Sequence, residues 1–340
     1  MPVVGLRPAP VRLSPAATPA RHLRAAPSRS RAGEAFVRNP PRTPMRACVI
    51  FNPTAKGEKA RRFRRHLDAI GAACALKPTT APGMGRALAA EAVGEGHECI
   101  IAAGGDGTVN EVLNGIGDAP EGFARVRLAV LPLGTVNVFA RELGLPIHLA
   151  RAWAVFERGR ETAVDLPRVE FVRNGRLTRR YFAQLAGAGL DARAVELVDW
   201  RLKKKTGVLA YLRAGFAALR EPQSSITASG GGRTVAGELV LIGNGRLYGG
   251  PFPLFAQADL RDGLLDVRVF PRATLRTALS IGWGIVSGRL ARAGGSENFR
   301  ADSLTLTSSG RVPLELDGEA VGELPATLGI QRQALRVIVP

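Results

Sequence analysis

Between Arg46 and Pro132 the chain repeats one pattern: a short apolar run, a turn rich in Gly, Asn or Pro, then a segment with helical spacing. Ala47-Cys48-Val49-Ile50-Phe51 is closed by Asn52-Pro53, the form of a buried strand entering a turn. Residues 58–70 follow, basic on one side and carrying Phe63, Leu67 and Ile70 at helical intervals. A weaker strand near 73–76, a helix over 84–94, the strand Cys99-Ile100-Ile101-Ala102-Ala103, a helix over 108–116 and the strand Leu128-Ala129-Val130-Leu131 continue the alternation. Strands that are apolar throughout and separated by helices belong to a parallel sheet covered on both faces. An all-helical bundle is excluded for this half.

After residue 165 the texture changes. Tyr181–Ala186, Glu238–Ile242, Leu264–Phe270, Ser303–Thr307 and Val312–Leu316 read as strands, with helices over about 191–220 and 273–290. At roughly 150 residues per domain, 340 residues suggest two domains. The expected division is residues 45–164 as an α/β domain and 165–340 as a β-rich domain, whose last strand can return to the first. Residues 1–44 hold nine prolines, eight arginines and one acid, without apolar periodicity. They read as a disordered extension or an over-long start before Met45.

The net charge of +18 comes from 47 basic and 29 acidic residues, and +7 of it lies in residues 1–44. The remainder still favours anionic partners. The longest charge-free, apolar-leaning stretch near the C-terminal half, Thr277 to Gly288, falls short of the roughly 20 residues of a membrane-spanning helix. Cys48, Cys74 and Cys99 are too few for a disulfide framework and lack zinc-pair spacing, which points to a reducing compartment. The four histidines form no metal-binding spacing. No aromatic-rich RNA-binding signature accompanies the charge, so nucleic acid is not an expected partner.

Chemistry concentrates in three turns. Gly104-Gly105-Asp106-Gly107-Thr108-Val109-Asn110-Glu111 leaves a buried strand and opens a helix. Its glycines let backbone amides approach a ligand, and a helix N-terminus favours an anion. Thr108, three residues before Glu111, has capping-box spacing and predicts where that helix starts. Asp106 would repel a bare phosphate, so a magnesium-bound nucleotide suits the turn better. Asn52-Pro53-Thr54-Ala55-Lys56-Gly57 and Pro132-Leu133-Gly134-Thr135-Val136-Asn137 are the corresponding turns after the first and fourth apolar strands. All three fall on the carboxyl edge of a parallel sheet, where α/β proteins bind ligands. No G-x-x-x-x-G-K-[ST] motif occurs, and the spacing does not fit a dinucleotide fingerprint.

These segments, followed in order by Gly243-Asn244-Gly245, Tyr248-Gly249-Gly250, Ala258 to Val267 and Leu316-Asp317-Gly318-Glu319, closely resemble the diacylglycerol-kinase catalytic-domain family. That family takes in bacterial diacylglycerol and related lipid kinases and eukaryotic sphingosine and ceramide kinases. The resemblance runs from about residue 46 to the C-terminus. It implies an α/β + β fold: a Rossmann-like N-terminal α/β domain, a sandwich-like β-rich C-terminal domain with helices, and an active site in the cleft between them.

The implied activity is transfer of the γ-phosphoryl group of MgATP to a lipid hydroxyl, with diacylglycerol first and sphingoid bases, ceramide or phosphatidylglycerol-type alcohols behind it. ATP contacts fall by resemblance on Asn52, Pro53, Thr54, Ala55, Lys56, Thr80, Gly104, Gly105, Asp106, Gly107, Thr108, Val109, Asn110, Glu111, Gly134, Thr135 and Asn137. Glu319 takes the place of the general base, with Asp106 beside it in catalysis. A structural Mg2+ site maps to Asp259, Asp262 and Leu264. The turn after Asn52-Pro53 departs from the family's usual small pair. The resemblance further implies a cytoplasmic protein that visits an anionic membrane, and it is compatible with a homodimer.

Read on their own, Asp317-Gly318-Glu319 and Asp262-Gly263 are also plain hairpin turns. The cluster Arg201, Lys203, Lys204, Lys205 before Val208 to Leu212 fits either a solvated helix face or a bilayer contact. NAD kinases share the Gly-Gly-Asp-Gly-Thr loop, so a NAD-directed phosphotransferase and a non-catalytic nucleotide- or nucleic-acid-binding protein stand as alternatives.

Overall fold

The apolar runs of the first half form one parallel sheet. In the computed structural model, which describes residues 45–197, 218–219, 222–287 and 295–340, β1 (Ala47–Phe51) lies between β2 (Ala75–Pro78) and β3 (Cys99–Gly104), and β3 pairs with β4 (Arg127–Pro132). The strands are connected by α1 (Glu58–Arg64), α2 (Leu67–Ala73), α3 (Met84–Gly94), α4 (Asp106–Asp118) and α5 (Gly122–Arg125). After β4 come α6 (Val138–Glu142) and α7 (Leu149–Arg158). Alternate residues of each strand serve opposite cores. Cys48, Ile50, Ile100 and Leu128 pack with Val109, Val112 and Leu113 of α4 on one face. Val49, Phe51, Ile101 and Leu131 pack with Phe63 and Trp153 on the other. Two-sided burial is why these runs carry no polar alternation.

The second half begins inside β5 (Arg160–Arg173), which pairs along its length with β18 (Ala326–Val339). β18 pairs first with β15 (Ser303–Ser308) through Ala326 to Gly329, then joins the parallel sheet near its end, with Val337 opposite Leu128 of β4. β6 (Arg176–Tyr181), β8 (Ile226–Gly230) and β9 (Arg233–Gly237) complete that ten-stranded sheet. A second, antiparallel sheet runs β14-β13-β10-β7-β16-β17. Its strands are β7 (Leu185–Gly189), β10 (Leu239–Gly243), β13 (Leu265–Phe270), β14 (Glu297–Ala301), β16 (Pro313–Leu316) and β17 (Glu319–Glu323). Phe171, Leu304, Leu306 and Leu328 from one sheet meet Ala188, Val240, Ile242 and Leu314 from the other. The expected sandwich is therefore present, and its last strand does return to the first sheet. A short ribbon, β11 (Leu247–Tyr248) with β12 (Phe252–Pro253), and two helices, α8 (Leu190–Leu197) and α9 (Leu275–Ser287), complete the described elements.

Several local expectations are corrected. The helix expected over 58–70 is two helices broken at Arg65 and His66, where the His66 amide bonds back to Phe63 O at 2.9 Å. The weak strand near 73–76 lies at 75–78. The strand expected over Tyr181–Ala186 is interrupted after Tyr181, because the amides of Ala183 and Gln184 turn to Asp317 instead of a neighbouring strand. The helix expected over 191–220 is seen as α8, and most of its remainder, with the basic cluster 201–205, lies outside the described residues, as do residues 1–44. All three cysteines are buried, with burial pushing the Cys48 thiol to about 11 and that of Cys74 to about 12.

Candidate active site

The three glycine-bearing turns stand side by side at the carboxyl edge of the parallel sheet. Two touch directly. The amides of Leu133 and Gly134 donate to Gly104 O at 2.8 and 3.2 Å. A Cβ placed on Gly134 would stand 2.5 Å from Gly105 Cα, so only glycine permits this approach. Asn137 closes the β4 turn from inside: its Oδ1 accepts from Gly134 N at 2.9 Å and its Nδ2 donates to Gly134 O at 2.7 Å. Asn137 does this with φ 55, a left-handed conformation asparagine tolerates. The β1 turn joins them through Lys59, whose Nζ donates to Gly134 O at 3.3 Å.

Within the β1 turn, Asn52 Oδ1 accepts from Thr54 N at 2.8 Å and Thr54 Oγ1 at 2.9 Å. Arg64 braces the turn by donating to Ala55 O at 2.8 Å. Pro53, Thr54, Ala55, Lys56 and Gly57 line a surface recess with Arg61 and Arg64. Lys56, Arg61 and Arg64 bring three cations to this recess, with Arg61 paired to Glu58 at 3.2 Å. Thr80, past the end of β2, is exposed at the same edge, and its hydroxyl meets Met84 Sδ. Thr135 is exposed on the β4 turn.

The glycine loop does not begin its helix as the spacing predicted. The residue preceding α4 is Gly105, with no side-chain cap, and Thr108 lies inside the first turn. Glu111 does not reach back to it. Its two carboxylate oxygens accept from Gly83 N at 2.9 Å and Gly85 N at 2.8 Å, capping α3 instead. Val109 is core, and the Asn110 side chain is buried and turned toward the second half. The loop mouth is therefore left to Gly104 through Thr108. Asp106 Oδ1 accepts from Phe139 N at 3.3 Å at the start of α6. Burial raises the Asp106 carboxyl, and the nearby Asp317 adds to the rise, against the pull of the Phe139, Val138 and Asn137 amides.

Asp317 is the residue the sequence reading undervalued. Asp317 and Gly318 form the two-residue turn between β16 and β17, with φ 49 and 83. The Asp317 carboxylate is fully buried and takes four donors: Ala183 N at 2.8 Å, Gln184 N at 2.9 Å, Leu185 N at 3.0 Å and Asn110 Nδ2 at 2.9 Å. Burial raises its carboxyl, and those four bonds oppose the rise. The last of them ties the glycine-loop helix to the Asp-Gly-Glu turn. Asn114 adds to the tie, exchanging two bonds with the Tyr181 backbone at 2.9 Å. Glu319 follows on the exposed start of β17, with Arg180 Nη2 3.9 Å from its Oε2. Burial and the like charge of Arg86 hold the Arg180 guanidinium below its usual range.

Behind the turn lies a second acidic group. Glu315 and Asp191 are fully buried and share a hydrogen bond; Tyr248 Oη donates to Asp191 Oδ1 at 2.8 Å and Gly318 N to Glu315 Oε2 at 2.7 Å. Burial, then the charge of Asp191, drives the Glu315 carboxyl well above its ordinary value. Another cross-link runs from α6: Glu142 accepts from Gln184 Nε2 at 3.0 Å and Leu247 N at 2.9 Å.

The residues assigned to a structural cation sit in one turn, but their charge is already matched. Asp262 is ion-paired with Arg300, which also reaches Asp266 at 3.1 Å. Asp262 Oδ1 accepts from Leu264 N at 3.0 Å, and Asp259 O accepts from Asp262 N at 3.4 Å. A metal ion would have to displace a guanidinium, so this arrangement does not fit one. Among the described residues no group of three or more His, Cys, Asp or Glu side chains is placed to hold a metal ion.

Comparison with known proteins settles the family. The diacylglycerol kinase catalytic domain matches residues 46–169, and the YegS C-terminal NAD kinase beta sandwich-like domain matches residues 184–339. The chain is 30% identical over 302 residues to a diacylglycerol kinase of Staphylococcus carnosus, covering 87% of this chain and 95% of that protein. It is 33% identical over 285 residues to a protein of Stenotrophomonas maltophilia named "Probable lipid kinase YegS-like", covering 82% and 91%. The chain belongs to the diacylglycerol kinase catalytic-domain family. It is a kinase of lipid-kinase type, as the turns and the Asp-Gly-Glu segment led us to expect. Solved structures carry the fold. A diacylglycerol kinase from Bacillus anthracis superposes with TM-score 0.62 at 20% identity, covering 87% of this kinase and 97% of that chain. Yeast NADH kinase, at TM-score 0.51 and 10% identity over 88% and 84% of the two chains, is a more distant neighbour.

Proposed function

We propose that this kinase transfers the γ-phosphoryl group of MgATP to the hydroxyl of a lipid alcohol, diacylglycerol before sphingoid bases, ceramide or phosphatidylglycerol. The observation that carries the reading is the 2.9 Å bond from Asn110 to Asp317, which holds the Asp-Gly-Glu turn against the glycine-loop helix. On this reading the Glu319 carboxylate, two residues from that bond, works on the lipid side of the site that the anion-seeking turns form.

MgATP, when bound, supplies the phosphoryl group and a leaving ADP. The amides of Gly105 to Thr108, with Lys56, Arg61 and Arg64 at the β1 turn, would hold its phosphates, while Asn52, Pro53, Thr54, Ala55, Thr80 and Thr135 border it. Phosphoryl transfer asks the protein mainly for positioning and charge neutralisation, plus an acceptor for the hydroxyl proton. Glu319 takes that proton as the lipid oxygen forms its bond to phosphorus. Arg180 orients the Glu319 carboxylate. Asp317 acts through the turn it anchors and touches no substrate. The buried Asp106 sits at the junction of the two glycine turns and fixes α6 relative to the loop. Work at a lipid hydroxyl implies a protein at the cytoplasmic face of a membrane; no helix among the described residues is long and apolar enough to cross one.

The test is transfer from γ-labelled ATP to a panel of lipid alcohols. Glu319→Gln should lower turnover by about 10²-fold or more, the range of a lost general base, while leaving ATP affinity within about twofold. Unchanged turnover removes Glu319 from the role. The fold shared with yeast NADH kinase makes NAD the control acceptor: phosphorylation of NAD and of no lipid alcohol would overturn the reading.

A further inference from the structure

We infer that the outer face of α9 is the surface by which this kinase docks on an anionic bilayer. The helix covers Leu275–Ser287; apart from Arg276 in its first turn it carries no charge, and it is too short to span a membrane. Its inner side packs through Ile281 onto the cluster of Leu185, Leu239, Leu254, Phe255 and Phe270, and Gly284 is buried. Its outer side is the reverse of what solvent favours. Leu275, Leu279 and Trp283 are 50%, 59% and 72% exposed, and they recur at every fourth position, which stacks them in one stripe.

Three observations commit the occupant to a lipid surface. First, the helix carries no acid, and the exposed Arg272 and Arg276 stand at the N-terminal end of the stripe. Neither arginine is drawn into an ion pair among the described residues. An apolar stripe with cations at one end matches the acyl boundary and headgroups of an anionic leaflet. Second, the most exposed residue is tryptophan, whose amphipathic ring settles at the membrane interface. Third, a second copy fits poorly. Three side chains fall far below the roughly 1,200–2,000 Å2 of a stable interface.

The placement serves the site. The cluster beneath α9 also receives Tyr248 and Phe252, and Tyr248 donates to the buried Asp191 beside the Asp-Gly-Glu turn. A bilayer held against α9 therefore lies over the part of the second half that backs the Asp-Gly-Glu turn. The inference rests on the lipid-kinase reading for its purpose but on the stripe for its physics.

The experiment is co-sedimentation of the full chain with phosphatidylcholine vesicles, with and without phosphatidylglycerol. The double variant L279Q/W283Q should lose about tenfold or more in partitioning, as expected when the buried apolar face is removed. Because both side chains are exposed, its thermal midpoint and far-UV circular dichroism should match wild type. R272Q/R276Q should lose about fivefold per arginine, and only on vesicles containing phosphatidylglycerol, the equivalent of ~1 kcal/mol each. Vesicles should shift tryptophan emission to the blue in wild type, with the shift much reduced in W283F.

Equal partitioning of L279Q/W283Q and wild type overturns the inference, as does failure of wild type to bind anionic vesicles. Loss of a dimer in L279Q/W283Q, with vesicle binding intact, assigns the face to self-association and overturns it as well. Phosphoryl transfer to a water-soluble short-chain diacylglycerol, measured without vesicles, keeps the two claims apart. It should be unchanged in L279Q/W283Q. Its absence in wild type would sink the lipid-kinase reading and leave the vesicle result standing.

Discussion

Asp317→Asn changes no shape and removes one acceptor, so its cost can be worked from the four donors on that carboxylate. Asparagine tolerates the left-handed φ of 49, and strain does not enter. Placed with its oxygen on the Gln184 and Leu185 amides, the new side chain turns its NH2 toward Ala183 N and Asn110 Nδ2, two donors facing a donor. The opposite flip strands the other pair. Each buried donor left unmade costs about 1–3 kcal/mol, which gives a loss of roughly 2–6 kcal/mol. Against a typical stability of about 5–15 kcal/mol this is a large fraction. Urea denaturation at constant m-value measures it. Adding Asn110→Asp should recover part of the loss, because the carboxylate it introduces can accept from the new NH2; the double-mutant cycle isolates that coupling. Turnover should fall further than ATP affinity, since the turn is displaced while the phosphate loops stay. A loss under about 0.5 kcal/mol, within the spread of ordinary surface substitutions, refutes the claim that Asp317 locks the two halves together.

Gly134→Ala pushes a methyl into Gly105 Cα and should weaken ATP binding by about tenfold or more at ~1.4 kcal/mol per decade, read by titration calorimetry; unaltered binding would show that the two turns separate freely. The raised Glu315 carboxyl keeps a proton in the folded state that the unfolded chain releases near an ordinary glutamate pKa. Stability from this group is therefore full below that value and falls as pH climbs toward the folded-state pKa. Thermal unfolding of Glu315→Gln across the pH range should show a flatter profile, and an unchanged slope would remove Glu315 as its source. Arg300→Ala leaves Asp262 and Asp266 side by side without their cation and should lower the thermal midpoint, with added Mg2+ restoring more of it than wild type gains. Equal response of both proteins to Mg2+ would mean that the vacated seat does not accept a metal.

Much of this arrangement could be read before any coordinates. The three turns and their common edge follow from where apolar runs stop and which residues stop them, and so do the strands of the second half, whose sandwich form the family resemblance implied. What escaped were contacts between residues far apart in sequence. Thr108 and Glu111 have capping-box spacing, yet Glu111 caps α3, 26 and 28 residues away. Tyr181 to Ala186 is apolar enough for one strand, and only the buried Asp317 explains why it breaks. At the Asp-Gly-Glu turn the hairpin reading holds, and the structure adds a role for Asp317 that the sequence did not suggest. It is a hairpin turn, and its buried acid grips the other half of the molecule. Local pattern cannot show which acid of such a turn goes inward, because that depends on donors supplied by another strand and another helix.

The long β18 carries a consequence for how the protein is made. Leu128 of β4 finds its neighbour Val337 roughly 200 residues downstream, a separation that slows folding. While the ribosome is still working through the sandwich, the parallel sheet is held open along that edge. The half that carries the glycine turns therefore finishes only after β18 has been synthesised.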